Sequence, residues 1–147
     1  MPEQPSWRAA TSTVHLLHRA SQGMDEIFLR AVGGDLTPRQ FVILDAVAEA
    51  EGLNQVAITQ ATGIDRSSTA ELVQRLTRRG LLRRRRVKGD ARSYSVRLTQ
   101  AGRELLAKMR PAAERMDRTI AKRLGGRAAL RRLVEQTESV LSTLPRT

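Results

Sequence analysis

The chain has 147 residues, 40% of them apolar and 28% charged, which is enough for one domain with a buried core. It contains no cysteine, so disulfides, cysteine-ligated zinc and thiol redox sensing are excluded. Its net charge of +11 is uneven: residues 1–64 carry 4 basic and 7 acidic side chains (net −3), residues 65–97 carry 11 and 3 (net +8), and residues 98–147 carry 11 and 5 (net +6).

From the N-terminus, "MPEQPSWRAA" lacks the apolar core of a signal peptide, and no apolar run approaches the roughly 18 residues of a membrane span. A cytoplasmic protein is expected. Residues 8–32 place Ala10, Val14, Leu17, Met24, Ile27, Phe28 and Ala31 at spacings of three and four, which predicts a helix ended by Gly33-Gly34. In "LTPRQF", Thr37 suits an N-cap, Pro38 the first helical position and Gln40 the reciprocal position of a capping box. The helix so started, over 38–50, turns Phe41, Leu44, Val47 and Ala48 to one face. Asn54 caps a short helix with Val56, Ile58 and Ala61 that stops at Gly63. Asp65 caps the next, which runs to Gly80 with Thr69, Leu72, Val73 and Leu76 inward.

After Gly80 the period changes. Tyr94, Val96 and Leu98 alternate with Ser95 and Arg97, predicting a hairpin over roughly 82–87 and 93–98 with Gly89-Asp90 near its tip. Thr99 caps a long helix with Leu105, Leu106, Met109, Ala113, Met116, Ile120 and Leu124, in which Pro111 predicts a bend. Gly125-Gly126 separates it from a last helix bearing Leu130, Leu133, Val134, Thr137, Val140, Leu141 and Leu144. The fold class expected is mainly α with a small β-hairpin wing. Residues 36–99 would form a winged helix-turn-helix lobe, and residues 8–34 and 100–147 a helical dimerisation lobe.

The concentrated basic block points to a polyanion, nucleic acid ahead of an anionic membrane surface. Helices 54–62 and 65–79, joined tightly at Gly63-Ile64 and followed by a hairpin, fit a reader of double-stranded DNA whose second helix enters the major groove. With Leu72, Val73 and Leu76 inward, Ser67, Ala70, Glu71, Gln74 and Arg78 face outward and Arg75 lies at the flank. Small and hydrogen-bonding residues there suit base edges, while Ser67, Ser68 and the amides of the first turn suit a phosphate. In "LLRRRRVKGDARSYSVRLT", strand alternation puts Arg84 and Arg86 on one face and Arg83, Arg85 and Val87 on the other. Arg84, Arg86 and Lys88 are the expected phosphate contacts of the wing. Arg92 would enter a narrow minor groove, with Asp90 holding its guanidinium.

The stretches "GIDRSSTAELVQRLTRRGLL" and "DARSYSVRLTQAGRELL", within a match over residues 36–106, resemble the MarR family of bacterial transcriptional regulators. That resemblance implies a homodimer with interlocked N- and C-terminal helices that represses genes until a small molecule binds. It gives Asp90 and Arg92 the wing-tip roles and places Ser67, Ser68, Gln74 and Arg75 in the DNA-reading helix. An effector would bind between the DNA-binding lobe and the dimer helices, with Trp7, His15, His18, Phe28, Phe41 and Met109 the candidates by location. "DARSYSVRLT" is similar to the wings of regulators of aromatic-acid breakdown, which implies an aromatic carboxylate or its acyl-CoA thioester. Independently, the apolar stripe over 130–144 and that of the first helix exceed what the helix-turn-helix core can cover, which also predicts a dimer.

Two other readings compete: a basic architectural DNA-binding protein without an effector, and a metal-binding protein using His15 and His18, three apart on one helix. No serine–histidine–aspartate set, phosphate-binding glycine loop or close carboxylate pair is present. The expectation is a protein that is not an enzyme, with no catalytic residues, cofactor, metal or membrane partner.

Overall fold

The computed structural model describes residues 8–87 and 89–144, apart from the side chains of 90–93. Ala9–Thr11 form a 3₁₀ turn, after which Ser12 caps helix α1 (Thr13–Val32) by accepting the His15 N–H at 3.3 Å. The apolar spacing predicts one helix from residue 8. The Ser12 cap divides it, a local hydrogen bond that hydrophobic periodicity does not report.

Caps set the remaining helix starts. Helix α2 (Pro38–Glu49) opens with a complete capping box: the Gln40 N–H donates to Thr37 Oγ1 at 3.3 Å and the Thr37 N–H to Gln40 Oε1 at 3.1 Å. Asn54 caps α3 (Gln55–Thr62), and Asp65 caps α4 (Arg66–Arg78). Gly63, at φ +68°, ends α3 in the left-handed region and so makes the tight turn into α4. Thr99 caps α5 (Gln100–Leu124), which continues through Pro111 as one helix, and α6 spans Arg127–Thr143.

Strands β1 (Leu82–Val87) and β2 (Asp90–Leu98) form the antiparallel hairpin, Leu82 opposite Leu98 and Arg86 opposite Tyr94. The register shifts between Arg86 and Val87, and β2 starts at residue 90 rather than 93 because polar tip residues still pair. Leu53 adds an isolated bridge: its carbonyl accepts the Val96 N–H at 2.8 Å, stitching the α2–α3 connection to the wing.

One core unites these elements, with Phe28 and Val32 of α1, Ile43, Leu44 and Val47 of α2, Ile58 of α3, Val73 and Leu76 of α4, the hairpin base, and Leu106 and Met109 of α5. Polar ties fasten its edges. Arg110 Nε donates to Asp45 Oδ1 at 2.9 Å and Arg110 Nη2 to Glu49 Oε1 at 3.2 Å, holding α5 to α2; the Asp45 bond raises the arginine's pKa further. Arg97 Nη1 donates to Glu51 Oε2 at 3.1 Å, holding the wing base to the α2–α3 connection. By contrast, α6 contributes no buried residue.

The end of α4, the hairpin and α5 meet at one junction. The Thr99 hydroxyl donates to the Gly80 carbonyl at 2.6 Å, the Thr99 N–H to the Leu81 carbonyl at 3.0 Å, and the Gly102 N–H returns to Thr99 Oγ1 at 3.0 Å. A Cβ on Gly102 would run into the Leu81 carbonyl oxygen and press on Leu98. Two effects of Gly102→Ala therefore oppose. Alanine's helix propensity favours it by about 1 kcal/mol, whereas overpacking against backbone costs roughly 1–3 kcal/mol or more. We expect overpacking to win and the thermal midpoint to fall, by about 2–4 °C per kcal/mol in a chain of this length. A midpoint that rises in a calorimetric scan would show that α5 moves away at little cost.

Candidate nucleic-acid interface

Helix α4 presents two faces that the sequence periodicity anticipates. Thr69, Val73 and Leu76 are buried, with Leu72 half-buried against the core, and the Thr69 hydroxyl donates to the Ile64 carbonyl at 3.2 Å. The opposite edge exposes Ser67, Glu71, Gln74, Arg75 and Arg78, with Ala70 half-buried between them. This edge has small side chains near its start and long donors towards its end, a shape that fits a groove floor. Arg75 Nη2 lies 3.5 Å from Glu71 Oε2, one turn earlier, with both side chains mostly exposed. A pair of that kind is weak in water and leaves the guanidinium available to another anion.

The head of α4 is organised around Asp65. Its Oδ1 accepts the Ser68 N–H at 2.8 Å and the Ser67 hydroxyl at 2.7 Å. The Ser68 N–H first, then the hydroxyls of Ser68 and Ser67 and the charge of Arg39, hold the Asp65 carboxyl below the usual carboxylate range. Two donors that the sequence assigns to a phosphate, the Ser67 hydroxyl and the Ser68 amide, are thus engaged within the protein. An open groove of about 740 Å3 runs beside this helix end, lined by Gln55, Asp65, Arg66, Ser67 and Ala70. Sequence reading missed Gln55, Arg66 and Arg39. Gln55 and Arg66 line the groove with Asp65, and the charge of Arg39 acts on that carboxyl; each stands in the first turn of its own helix.

On the wing, Arg83, Arg84, Arg85 and Arg86 are all exposed. Arg84 and Arg86 lie opposite Val96 and Tyr94, Arg83 and Arg85 opposite Arg97 and Ser95, as strand alternation requires. Trp7 and Lys88 lie outside the described residues, as do the side-chain roles expected of Asp90 and Arg92.

Of the residues expected at an effector site, Phe28, Phe41 and Met109 are brought together, in the core. His15 and His18 are exposed on α1. Phe28 and Met109, at 4% and 1% exposure, are core residues. Phe41 packs partly buried against that core, its ring 5.4 Å from that of Phe28. A cleft of about 250 Å3 instead opens between α1 and α5, lined by Ile27 and Ala31 on one side and Ala112, Met116 and Ile120 on the other, with Arg115, Thr119 and Arg123 among its walls. Among the described residues, no group of three or more His, Asp or Glu side chains is placed to hold a metal ion, and no helix is long and apolar enough to cross a membrane.

Comparison with known proteins gives this geometry a context. A model of the MarR family matches residues 34–93. The transcriptional regulator HosA of Escherichia coli O111:H- is 35% identical over 92 residues, 63% of this chain and 68% of that protein. Among solved structures, the PcaV transcriptional regulator of Streptomyces coelicolor in complex with its natural ligand is 28% identical, with a TM-score of 0.87 over 95% of this chain and 99% of that one. Bordetella bronchiseptica BpsR, whose DNA binding is regulated by 6-hydroxynicotinic acid, is 29% identical at a TM-score of 0.81 over 96% and 100%. The repressor CouR on a 23-mer DNA duplex is 31% identical at 0.75 over 96% and 97%. Its complex with p-coumaroyl-CoA gives 26% and 0.81 over 95% and 100%.

Two measurements test the interface. If about 6–10 phosphates are neutralised, affinity for duplex DNA should fall about 10³–10⁵-fold between 50 and 200 mM salt; a flat profile in fluorescence anisotropy would contradict an electrostatic interface. The Asp65 cap makes a second prediction. Its carboxyl titrates lower in the folded than in the unfolded chain, so its contribution is fully present above the unfolded carboxyl range, about pH 4, and is lost as pH falls through the folded value. Asp65→Asn, which keeps an acceptor but no charge, should therefore lose less of its thermal midpoint than the parent on acidification below about pH 4. Parallel pH profiles would remove the charge from the cap's role.

Proposed function

The chain belongs to the MarR family and is a transcriptional regulator, and from this premise we propose that it is a repressor working as a homodimer. It would hold an inverted-repeat operator and release it when a small aromatic carboxylate, or the acyl-CoA thioester of one, binds. The exposed edge of α4 beside a basic wing carries the DNA part of this reading: groove-reading side chains and phosphate-neutralising arginines stand on adjoining elements of one rigid core.

The dimer is supported by what the chain leaves uncovered. Val14 is 81% exposed and Leu141 60%, and Leu16, Leu17, Leu133, Val134 and Val140 are all exposed on the same two terminal helices, with Leu144 exposed just after α6. Apolar surface on this scale seeks a partner, and a second copy supplies matching helices while placing two recognition helices on one duplex.

The effector is supported by the α1–α5 cleft. Its apolar walls suit an aromatic ring, and the exposed guanidinium groups of Arg115 and Arg123 suit a carboxylate or a phosphate-bearing thioester tail. Two of the similar regulators carry 6-hydroxynicotinic acid or p-coumaroyl-CoA as ligands, an aromatic acid and an aromatic thioester. The cleft lies between a helix that leads to the dimer face and one that is pinned to α2 by Arg110. A ligand there can alter the separation of the recognition helices, but only to the extent of its differential affinity for the two arrangements, typically about 1–3 kcal/mol.

Footprinting of the DNA upstream of its own and neighbouring genes should show an inverted repeat with half-site centres about 10 bp apart, weakened by an aromatic carboxylate or its thioester. Leu133→Glu with Leu141→Glu should give a folded monomer by light scattering, because α6 holds up none of the core. Its binding should drop to the level of unrelated DNA, about 10³-fold or more. A monomer that still protects the full repeat at parental affinity would remove the dimer from the mechanism.

A further inference from the structure

The run Arg83–Arg86 is chemically uniform, yet the hairpin register makes its members unequal. Directly opposed residues share a side of the ribbon and touch. Arg83 meets Arg97, Arg84 meets Val96, Arg85 meets Ser95 and Arg86 meets Tyr94. The side bearing Leu82, Val96 and Leu98 is anchored, since all three are buried. Arg84 and Arg86 continue that side outward beyond the core. Tyr94 is 40% exposed, and the Arg86 Cζ lies over its ring, 5.9 Å from the centroid. The chain has one tyrosine, and no other arginine of the run faces an aromatic ring across the ladder.

Ordering an exposed arginine against a phosphate costs side-chain entropy. A ring beneath the guanidinium removes part of that freedom before DNA arrives. A ring face offers no acceptor that would use up the guanidinium's five N–H donors, so they stay available to phosphate oxygens. We propose that Tyr94 is a positioning residue that holds Arg86 as the principal phosphate clamp of the arginine run, ahead of Arg83, Arg84 and Arg85. The proposal rests on the reading of the wing as a DNA contact, and it deepens that reading by ranking its residues.

The test measures binding to a mixed-sequence duplex long enough for both half-sites, across a range of salt, with the thermal midpoint of each variant recorded. Arg86→Ala should lower the magnitude of the salt slope by about 0.9 for each wing. Tyr94→Leu should weaken binding about 2–5-fold and lower the slope in the same direction at an unchanged midpoint, a shift that a purely structural role would not give. Tyr94→Phe keeps the ring and should retain parental affinity and slope. Arg86→Ala combined with Tyr94→Leu should lose no more than Arg86→Ala alone. A parental slope in Tyr94→Leu beside a lowered slope in Arg86→Ala would overturn the positioning role and leave the wing as a DNA contact. Equal losses from alanine at all four arginines would overturn the ranking. No loss from any of them would overturn the DNA reading of the wing itself.

Discussion

The close approach of α5 to the Leu81 carbonyl is the contact on which the rest of the structure depends. The chain leaves the recognition helix at Gly80, makes the wing, and must return to within hydrogen-bonding distance of where it left. Thr99 closes that circuit with bonds to the carbonyls of Gly80 and Leu81, and Gly102 permits it by having no Cβ. A wing hinged elsewhere would swing relative to α4. Closed here, the two DNA-facing elements share one buried base of Leu81, Leu82, Val96 and Leu98 and move together. The bridge from Leu53 and the Arg97–Glu51 pair fasten the other edge of β2 to the α2–α3 connection, so the wing is held from two sides.

The same closure explains why the two ends of the molecule differ so much in burial. Helices α2, α3 and α4 and the hairpin base complete a core around α5, and α1 joins it through Phe28 and Val32 near its C-terminal end. The N-terminal two-thirds of α1 and most of α6 add nothing to that core, and their apolar stripes stay largely exposed. A helix placed this way gains little from its own chain, because most helical stability in water comes from packing an apolar face. In the proposed dimer those faces supply the missing packing, and the distance between recognition helices becomes a property of the assembly rather than of either chain. A ligand near α1 and α5 can therefore act on DNA without touching it.

Legibility in the sequence divided along a physical line. Most features written in local chemistry were readable: the capping box at Thr37 and Gln40, the caps at Asn54, Asp65 and Thr99, the stop at Gly63, and the inward face of α4. Features that depend on which distant residues meet were not. Nothing local announces that Arg110 reaches Asp45 and Glu49, that Leu53 bridges Val96, or that Gly102 faces the Leu81 carbonyl. Phe28 and Met109 were offered by chain position, and both lie in the core, as apolar residues on a helix stripe commonly do; their neighbours Ile27, Ala31, Ala112 and Met116 line the cleft between α1 and α5. Ser12 is the exception, a local signal overlooked because the apolar spacing ran through it.

The ionised head of α4 bears on how the work of DNA recognition is divided. A helix N-terminus ordinarily attracts phosphate through its free amides and its dipole. Here Asp65 takes the Ser68 amide and the Ser67 hydroxyl and places a carboxylate held in its charged form at that position. A phosphate approaching the same point meets like charge, partly offset by the nearby Arg39. In the proposed complex this charge would disfavour a phosphate at the carboxylate itself, while Arg66, exposed beside it, remains open to one. The densest basic charge lies elsewhere, in the run Arg83–Arg86 on β1. The proposed division of work follows from that layout: an acid-capped helix would read the groove, and a basic ribbon would hold the strand beside it.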